Sequence, residues 1–323
     1  MGLLIDGTWS DQWYDTEKNN GRFIRETAGF RNWITEDGTA GISGGDGFKA
    51  ESGRYHLYVS YACPWAHRTL IFRHLKDLAP HISVSVVHPF MGDKGWTFAR
   101  DEHATGDSLY GYNYLYELYV KSQPDITGRV TVPVLWDKHR CEIVSNESSE
   151  IIRMFNSAFD AVTGNKLDFW PAAHRDAIEA INEDIYHNIN NGVYKAGFAT
   201  NDDAYHEAVI ALFTALDRLE IRLSQNRYLL GDMLTEADWR LFSTLIRFDA
   251  VYVGHFKCNL RRISDYPALM GYVRALYQMP GIADTVVMSH IKSHYYKSHH
   301  QINPSGIVAY GPFLDFDAPH GRG

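Results

Sequence analysis

The sequence contains few cysteines and no long apolar run. Only three cysteines occur among its 323 residues, Cys63, Cys141 and Cys258. An odd number of widely spaced cysteines argues against a disulfide framework and favours a reducing compartment. No segment approaches the roughly 20 apolar residues of a membrane span, and residues 1–6 lack the basic region and apolar stretch of a secretory signal. These absences predict a cytoplasmic protein.

Clusters of Lys and Arg are also missing. The 31 basic and 39 acidic residues give a formal net charge of -8. An acidic chain repels the phosphates of nucleic acids and the headgroups of anionic lipids. We therefore expect neither a nucleic acid nor a membrane as a partner.

The residues that are present can build about two domains, since 45% of them are hydrophobic. From about residue 171 onward, helical periodicity replaces strand patterns, as in the apolar stripe of Val209, Leu212 and Leu216. The predicted segments are an irregular, glycine-rich N-terminal extension at 1–50, an α/β thioredoxin-like domain at 51–165 with an insertion at about 89–128, an all-α C-terminal domain at 166–300, and a non-helical tail at 301–323.

The segment 51–165 has the element order of a thioredoxin-like domain. Its patterns predict a strand at 55–60, a helix after Cys63 and a second strand at 82–87. Two further strands, at 130–136 and 141–144, are joined by a polar link at 137–139, and a helix begins near Ser148. In this arrangement the active thiol lies where the first helix starts, and Cys63 is at that place.

Cys63 has the sequence context of a reactive thiol. The segment Cys63-Pro64-Trp65-Ala66 follows a strand and opens a helix, so free backbone N–H groups and the helix dipole lower the pKa of Cys63 and favour the thiolate. Pro64 suits the first helical position because it has no N–H to leave unpaired. The alternative is a buried, inert cysteine.

The position three residues after Cys63 is Ala66 rather than a second cysteine. Cys63 therefore needs an external thiol to resolve a mixed disulfide, and glutathione is the obvious candidate. Cys141 lies inside a predicted strand and Cys258 near a helix end, and both are expected to be structural.

Two other features fit a glutathione site. Pro133 heads an apolar strand, and a cis-proline there would lie beside the thiol and leave the backbone of Val132 free to pair with an extended peptide. Glu147 and Ser148 stand at a helix N-terminus, where they could hold the ammonium and carboxylate of the γ-glutamyl end. The alternatives are an ordinary trans-proline at a strand start and a simple helix cap.

The motifs together resemble one family. They are Cys63-Pro64-Trp65-Ala66-His67-Arg68, Arg129-Val130-Thr131-Val132-Pro133-Val134-Leu135-Trp136, Asn146-Glu147-Ser148, His294-Tyr295-Tyr296, Ser298-His299 and Ile302-Asn303-Pro304. They resemble the Xi class of glutathione transferases, the glutathionyl-hydroquinone reductases, over about residues 30–312. The resemblance implies the glutathione transferase fold and a homodimer.

The resemblance also implies an activity and its residues. Glutathionyl-hydroquinones would be reduced through a Cys63-glutathione mixed disulfide that a second glutathione resolves. Glutathione is then a co-substrate, and no metal is expected. Carried over by position, the glutathione-binding residues would be Trp96, Arg129, Val132, Glu147 and Ser148. Tyr194 and Tyr295 would hydrogen-bond the quinol oxygens, with Tyr296 as the alternative to Tyr295.

Two alternative functions fit parts of the same pattern. A general omega-like thioltransferase or dehydroascorbate reductase would use the same Cys63, and a non-catalytic assembly domain would not need it. The i, i+4 pair His290 and His294 could bind a metal, but no carboxylate or cysteine lies nearby in the sequence. The tyrosines at 110–119 are expected to pack within the insertion or against a partner subunit. Thr235 and Asp238 have the spacing of a helix capping box.

Overall fold

The computed structural model describes residues 2–322. By their internal contacts these residues form two compact units, each made of segments that are distant in sequence. The first unit comprises residues 2–13, 26–168 and 285–298, and the second comprises residues 14–25, 169–284 and 299–322. The expected domains were continuous segments, whereas these units are interleaved along the chain. Within residues 2–322, no helix is long and apolar enough to cross a membrane.

A four-stranded sheet forms the centre of the first unit. Its strands are β5 (Tyr55–Val59), β6 (Ser83–Val86), β10 (Val134–Asp137) and β11 (Glu142–Ser145), in the order β11-β10-β5-β6. The pair β5 and β6 is parallel, and the helix α1 (Pro64–Leu75) makes the crossover that a parallel pair needs. β10 runs antiparallel to both β5 and β11. This confirms the predicted thioredoxin-like order.

The first unit also contains several short elements. They are β1 (Leu3–Ile5), β2 (Thr8–Ser10), β3 (Trp33–Thr35), β4 (Gly47–Lys49), β7 (Met91–Gly92), β8 (Gly95–Trp96), β9 (Gly128–Arg129), α2 (Leu115–Ser122), α3 (Ser148–Ser157), α4 (Asp160–Thr163) and, near the end of the chain, α10 (Met288–Ser298). The helices α1 and α3 pack against each other, and every residue of β5 is buried.

The expectation of an irregular extension at 1–50 was wrong, because four of these strands lie there. β1 and β2 form a hairpin around Asp6 and Gly7, which both have positive φ, at 47° and 73°. Glycine tolerates that conformation, and an Asp-Gly pair is a strong hairpin signal. β3 and β4 pair in parallel.

The strand boundaries around the second hairpin also differ from the prediction. β10 begins at Val134 rather than at residue 130, after a proline that cannot donate to a ladder. Asp137 is the last residue of β10 and is fully buried rather than part of an exposed link. It accepts a hydrogen bond from Nε of Arg54 at 3.0 Å and from the backbone N–H of His139 at 2.8 Å. Cys141 lies in the turn with φ 55°, outside the strand.

The second unit is helical, as predicted. Its α-helices are α5 (Arg175–Ile185), α6 (Gly192–Gly197), α7 (Asp202–Gln225), α8 (Glu236–Arg247) and α9 (Pro267–Tyr277). Two π-helical segments, Tyr186–Asn190 and Phe248–Tyr252, extend α5 and α8. Thr235 and Asp238 form the expected capping box at the start of α8. The residues described after 298 contain no helix.

Candidate active site

Cys63 lies at the N-cap of α1, with an extended backbone (φ -78°, ψ 120°) and Pro64 in the first turn. Its carbonyl already accepts the first helical hydrogen bond, from the N–H of His67 at 3.0 Å. The side chain is half-buried and makes no capping hydrogen bond. The sulfur therefore lies at the positive end of α1, where the helix dipole stabilises a thiolate.

The backbone at Val132 lies beside the thiol. Sγ of Cys63 is 3.5 Å from the carbonyl oxygen of Val132, which accepts from the S–H group. The Val132–Pro133 peptide bond is cis. Because the ladder with β5 begins at Val134, Val132 stands outside it. The structure thus brings Cys63, Val132 and Pro133 together.

Tyr119 holds the backbone before Val132 in place through hydrogen bonds that were not expected from the sequence. Its hydroxyl donates to the carbonyl of Thr131 at 2.8 Å and accepts from the N–H of Thr131 at 3.2 Å. Asn146 donates to the same hydroxyl at 3.2 Å. Tyr119 is almost fully buried, and burial raises its pKa. One of the tyrosines expected to pack within the insertion or against a partner subunit therefore fixes the backbone next to the thiol.

The N-terminus of α3 is joined to α1. Ser148 is buried, and its hydroxyl accepts from Arg68 of α1 at 3.5 Å. The guanidinium of Arg68 lies 4.6 Å from the ring centroid of Trp65. Glu147 is the N-cap of α3. Its carboxylate accepts two hydrogen bonds from Ser149, one from the backbone N–H at 2.9 Å and one from the Ser149 hydroxyl at 2.7 Å. The capping role of Glu147 is thus present.

Arg129 lies in β9, three residues before Val132. Its guanidinium donates to the backbone carbonyls of Gln12 and Trp13 and to the carboxylate of Glu26 at 3.3 Å. These contacts tie β9 to the chain that follows the N-terminal hairpin. They give Arg129 a structural role besides the expected one.

Trp96 is buried in β8, and its ring stacks on the ring of His294 from α10, with centroids 4.8 Å apart and an interplanar angle of 20°. Tyr295, the next residue of α10, is 1% exposed, whereas Tyr296 is half-buried and has a pKa raised by burial. All three helix residues belong to the first unit.

Tyr194 belongs to the second unit. It lies in α6 among the rings of Phe23, Phe198, Tyr252 and Phe256, at centroid distances of 5.5 to 6.4 Å. The guanidinium of Arg25 lies 4.8 Å from its ring centroid, and Nε of Arg25 donates to Asn191 at 2.8 Å. Tyr194 is therefore a largely buried aromatic beside a cation.

The other two cysteines have different environments. Cys141 is exposed, and Cys258 is fully buried with a pKa raised by that burial. His290 pairs with Asp101 at 3.1 Å rather than with His294. Within residues 2–322, no group of three or more His, Cys, Asp and Glu side chains could hold a metal ion.

Both halves of the chain match known domain families. Residues 62–158 match the glutathione S-transferase N-terminal domain, and residues 202–275 match the glutathione S-transferase C-terminal domain. The chain is 59% identical to glutathionyl-hydroquinone reductase YqjG of Escherichia coli, covering 100% of this chain and 98% of the relative. It is 52% identical to glutathionyl-hydroquinone reductase PcpF of Sphingobium chlorophenolicum, covering 97% and 96%.

The chain belongs to the glutathionyl-hydroquinone reductases of the glutathione transferase superfamily.

Solved structures of this family have the same fold. The glutathione-bound structure of Escherichia coli YqjG superposes with a TM-score of 0.92 at 56% identity, covering 99% of this chain and 98% of that one. The Xi class glutathione transferase of Natrialba magadii gives a TM-score of 0.91 at 49% identity, covering 100% and 96%. The predicted fold class, a thioredoxin-like domain and an all-α domain in a glutathione transferase fold, is confirmed.

Two contacts near the site had no signal in the sequence pattern. Tyr119 looks like an ordinary aromatic residue of the insertion, and nothing in the sequence pairs His294 with Trp96. The fold brings Tyr119 to Thr131 and His294 to Trp96. Arg68 could have been suspected, since a charged residue one turn into an apolar helix is rarely buried without a partner.

Proposed function

We propose that this protein reduces glutathionyl-hydroquinones to hydroquinones at the expense of glutathione. The observation that carries the proposal is the position of Cys63, whose sulfur lies at the N-terminus of α1 and 3.5 Å from the Val132 carbonyl. Ala66 stands where a resolving cysteine would be. The full-length likeness to YqjG supports the choice of substrate.

The reaction has two steps. The ring carbon that bears the sulfur takes up a proton while a ring hydroxyl loses one, which gives the keto form of the ring. The Cys63 thiolate then attacks the glutathionyl sulfur, the bond from that sulfur to the ring carbon breaks, and a Cys63-glutathione disulfide forms. The electron pair of the broken bond passes to the ring oxygen, which takes up a proton, and the hydroquinone leaves. The thiolate of a second glutathione then attacks the mixed disulfide, which gives glutathione disulfide and restores Cys63. The two electrons that reduce the ring come from the glutathionyl sulfur of the substrate and from the sulfur of the second glutathione, which become the two sulfurs of glutathione disulfide.

Glutathione binding is assigned to Trp96, Arg129, Val132, Glu147 and Ser148. Val132 lies outside the ladder beside the thiol, where its backbone can pair with an extended peptide. Ser148 opens α3, and the free N–H groups of a helix N-terminus suit a carboxylate. Trp96 and Arg129 are assigned from the resemblance.

The quinol oxygens are assigned to tyrosine hydroxyls. Breaking the bond between sulfur and ring carbon places developing negative charge on a ring oxygen, and phenolic O–H donors aimed there stabilise it. Tyr194 and Tyr295 are the proposed donors, and the half-buried Tyr296 is the alternative to Tyr295.

The test is product analysis. Purified protein is incubated with a glutathionyl-hydroquinone and excess glutathione, and free hydroquinone and glutathione disulfide are quantified by chromatography. We expect equal amounts of both products from the wild type and from the matched control Cys141→Ala, and none above background from Cys63→Ala. Activity on disulfides or dehydroascorbate without hydroquinone release would instead assign a general thioltransferase.

We also propose that the protein works in the cytoplasm as a homodimer. All three cysteines are free, which suits a reducing compartment. The dimer is implied by the resemblance to the Xi class. Light scattering at micromolar concentration should give twice the mass of 36.9 kDa, and a monomer mass would contradict the proposal.

A further inference from the structure

The helix α10 is attached to the first unit through one face. His290, His294 and Ser298 are spaced by four residues and therefore lie on the same side of the helix. Nε2 of His290 contacts Asp101 at 3.1 Å, Nδ1 of His294 contacts the carbonyl of Pro89 at 2.9 Å, and Ser298 accepts from the N–H of Met91 at 2.9 Å. All three partners lie between residues 89 and 101.

The middle contact of this face differs from the other two. A carbonyl oxygen only accepts hydrogen bonds, so Nδ1 of His294 carries the proton and donates to Pro89. This bond fixes the plane of the imidazole. The indole of Trp96 stacks on the imidazole with ring centroids 4.8 Å apart and an interplanar angle of 20°. His294 is 6% exposed and Trp96 is 3% exposed. A stack between two buried rings leaves the indole little freedom to tilt.

The strand that carries Trp96 is short. β8 has two residues, pairs with β7, where Met91 faces Trp96, and packs against α2. The N–H of that same Met91 donates to Ser298 of α10. The hairpin of β7 and β8 is therefore joined to this face of α10, and His294 contacts the indole directly.

We propose that His294 is a positioning residue that holds the indole of Trp96 in place for glutathione. The inference rests on the proposed function, since it requires Trp96 to contact glutathione. The side chain of His294 acts through Trp96 and does not itself touch the substrate. The imidazole of His294 holds the indole by stacking on it, and the Nδ1–H···O bond to Pro89 orients the imidazole.

Two substitutions separate the parts of this contact. His294→Phe keeps a flat ring that can stack on Trp96 but removes the donor to Pro89. His294→Asn keeps a donor near the position of Nδ1 but removes the ring. His290→Asn is the matched control, because it removes a side-chain contact of the same helix face one turn earlier without touching Trp96.

The first measurement is the dissociation constant of S-methylglutathione, an unreactive analogue, by titration calorimetry, with the melting temperature of each variant recorded. We expect His294→Asn to weaken binding about tenfold, the order of effect of losing a stacked aromatic pair. His294→Phe, which loses one hydrogen bond but keeps the stack, should stay within about threefold of the wild type, and His290→Asn within about twofold.

The second measurement is turnover. His294→Asn should raise the KM for glutathione by a similar factor, about tenfold, and lower kcat less. If all three variants bind the analogue like the wild type, or if His290→Asn weakens binding as much as His294→Asn, the inference is overturned. The inference is also overturned if the wild-type protein does not bind the analogue. Failure of the proposed reaction has a different signature, namely normal binding of the analogue without release of hydroquinone.

Discussion

At the scale of single residues, the three cysteines differ in their position in the fold and in the exposure of their thiols. Cys63 is half-buried at a helix N-terminus, Cys141 is exposed in a turn, and Cys258 is fully buried. Burial raises the pKa of Cys258 because it disfavours the thiolate. Three residues of one type therefore lie in three different environments.

These environments predict an order of alkylation. Iodoacetamide at neutral pH should modify Cys63 first because the helix N-terminus favours its thiolate, Cys141 more slowly, and Cys258 only after unfolding. Peptide mass spectrometry over a time course measures each site separately. In the Cys141→Ser variant the slow alkylation of the folded protein should disappear, while Cys63 should be alkylated at the wild-type rate. Early modification of Cys258 would contradict the structure.

The sequence was informative about residues whose chemistry depends on neighbours in the chain. Cys63 could be selected because Pro64 and the adjoining strand and helix patterns lie next to it. The contact of His294 could not be predicted, because its partner Pro89 is 205 residues away and only folding brings them together. Glu147 was expected either to bind glutathione or to cap a helix, and its contact with the N–H of Ser149 shows the cap.

At the scale of elements, buried polar contacts fix where helices and strands begin. The carboxylate of Asp238 is fully buried at the start of α8. It accepts from the N–H of Leu229 at 3.0 Å, the N–H of Thr235 at 2.8 Å and the hydroxyl of Tyr272 at 2.9 Å. The capping box that the sequence predicts is thus one part of a larger network, which also joins α8 to α9.

Asp238→Ala should therefore strongly destabilise the protein. Buried donors left without an acceptor cost about 1–3 kcal/mol each, so we expect a loss of at least about 3 kcal/mol in the free energy of unfolding. Chemical denaturation monitored by circular dichroism measures this. The exposed Asp232 six residues earlier provides the control, and Asp232→Ala should change stability by less than about 0.5 kcal/mol. Equal midpoints for the two variants would contradict the assignment.

The elements that the sequence predicted well have strong periodicity. α1, α3 and α7 and the strands β5 and β6 lie where the apolar patterns placed them. The strands before residue 50 are three residues long, too short to establish an alternating pattern, and glycines obscure them. Asp137 was predicted to lie in the link after the strand, because a charged residue at a strand end is typical of a turn. Only the fold brings its buried partner Arg54 beside it.

At the scale of the whole molecule, two interleaved units share one chain. The order of strands and helices was sufficient to predict the fold class, since it depends on succession along the chain. The exchange of residues 14–25 and 285–298 between units was not predictable, because it depends on contacts between distant segments. α10 carries helical periodicity like its neighbours and has no local feature that assigns it to the first unit.

Acid should destabilise both units. Burial lowers the pKa of His56 in the first unit to about 4 and that of His255 in the second unit to about 4, from 6.5. Below pH 6.5 the unfolded chain takes up protons that the folded chain does not, so stability is lost as the pH falls from about 6.5 to about 4. Each histidine accounts for up to about 3 kcal/mol over that window.

Urea denaturation at several pH values tests this window. His56→Asn and His255→Asn should each reduce the loss of stability between about pH 6.5 and pH 4, and the double variant should reduce it further. The slope with pH is the quantity to compare, since the substitutions also change stability at neutral pH. Variants with the wild-type slope would show that these histidines do not titrate as the structure requires.

The central claim is that Cys63 takes the glutathionyl group directly from the substrate. A single-turnover experiment tests it: enzyme in excess is mixed with a glutathionyl-hydroquinone in the absence of free glutathione, quenched in acid and analysed by peptide mass spectrometry. We predict one equivalent of hydroquinone released per substrate and one glutathione bound through a disulfide at Cys63. Hydroquinone that appears only after glutathione is added, or an adduct on Cys141 instead, would contradict the account.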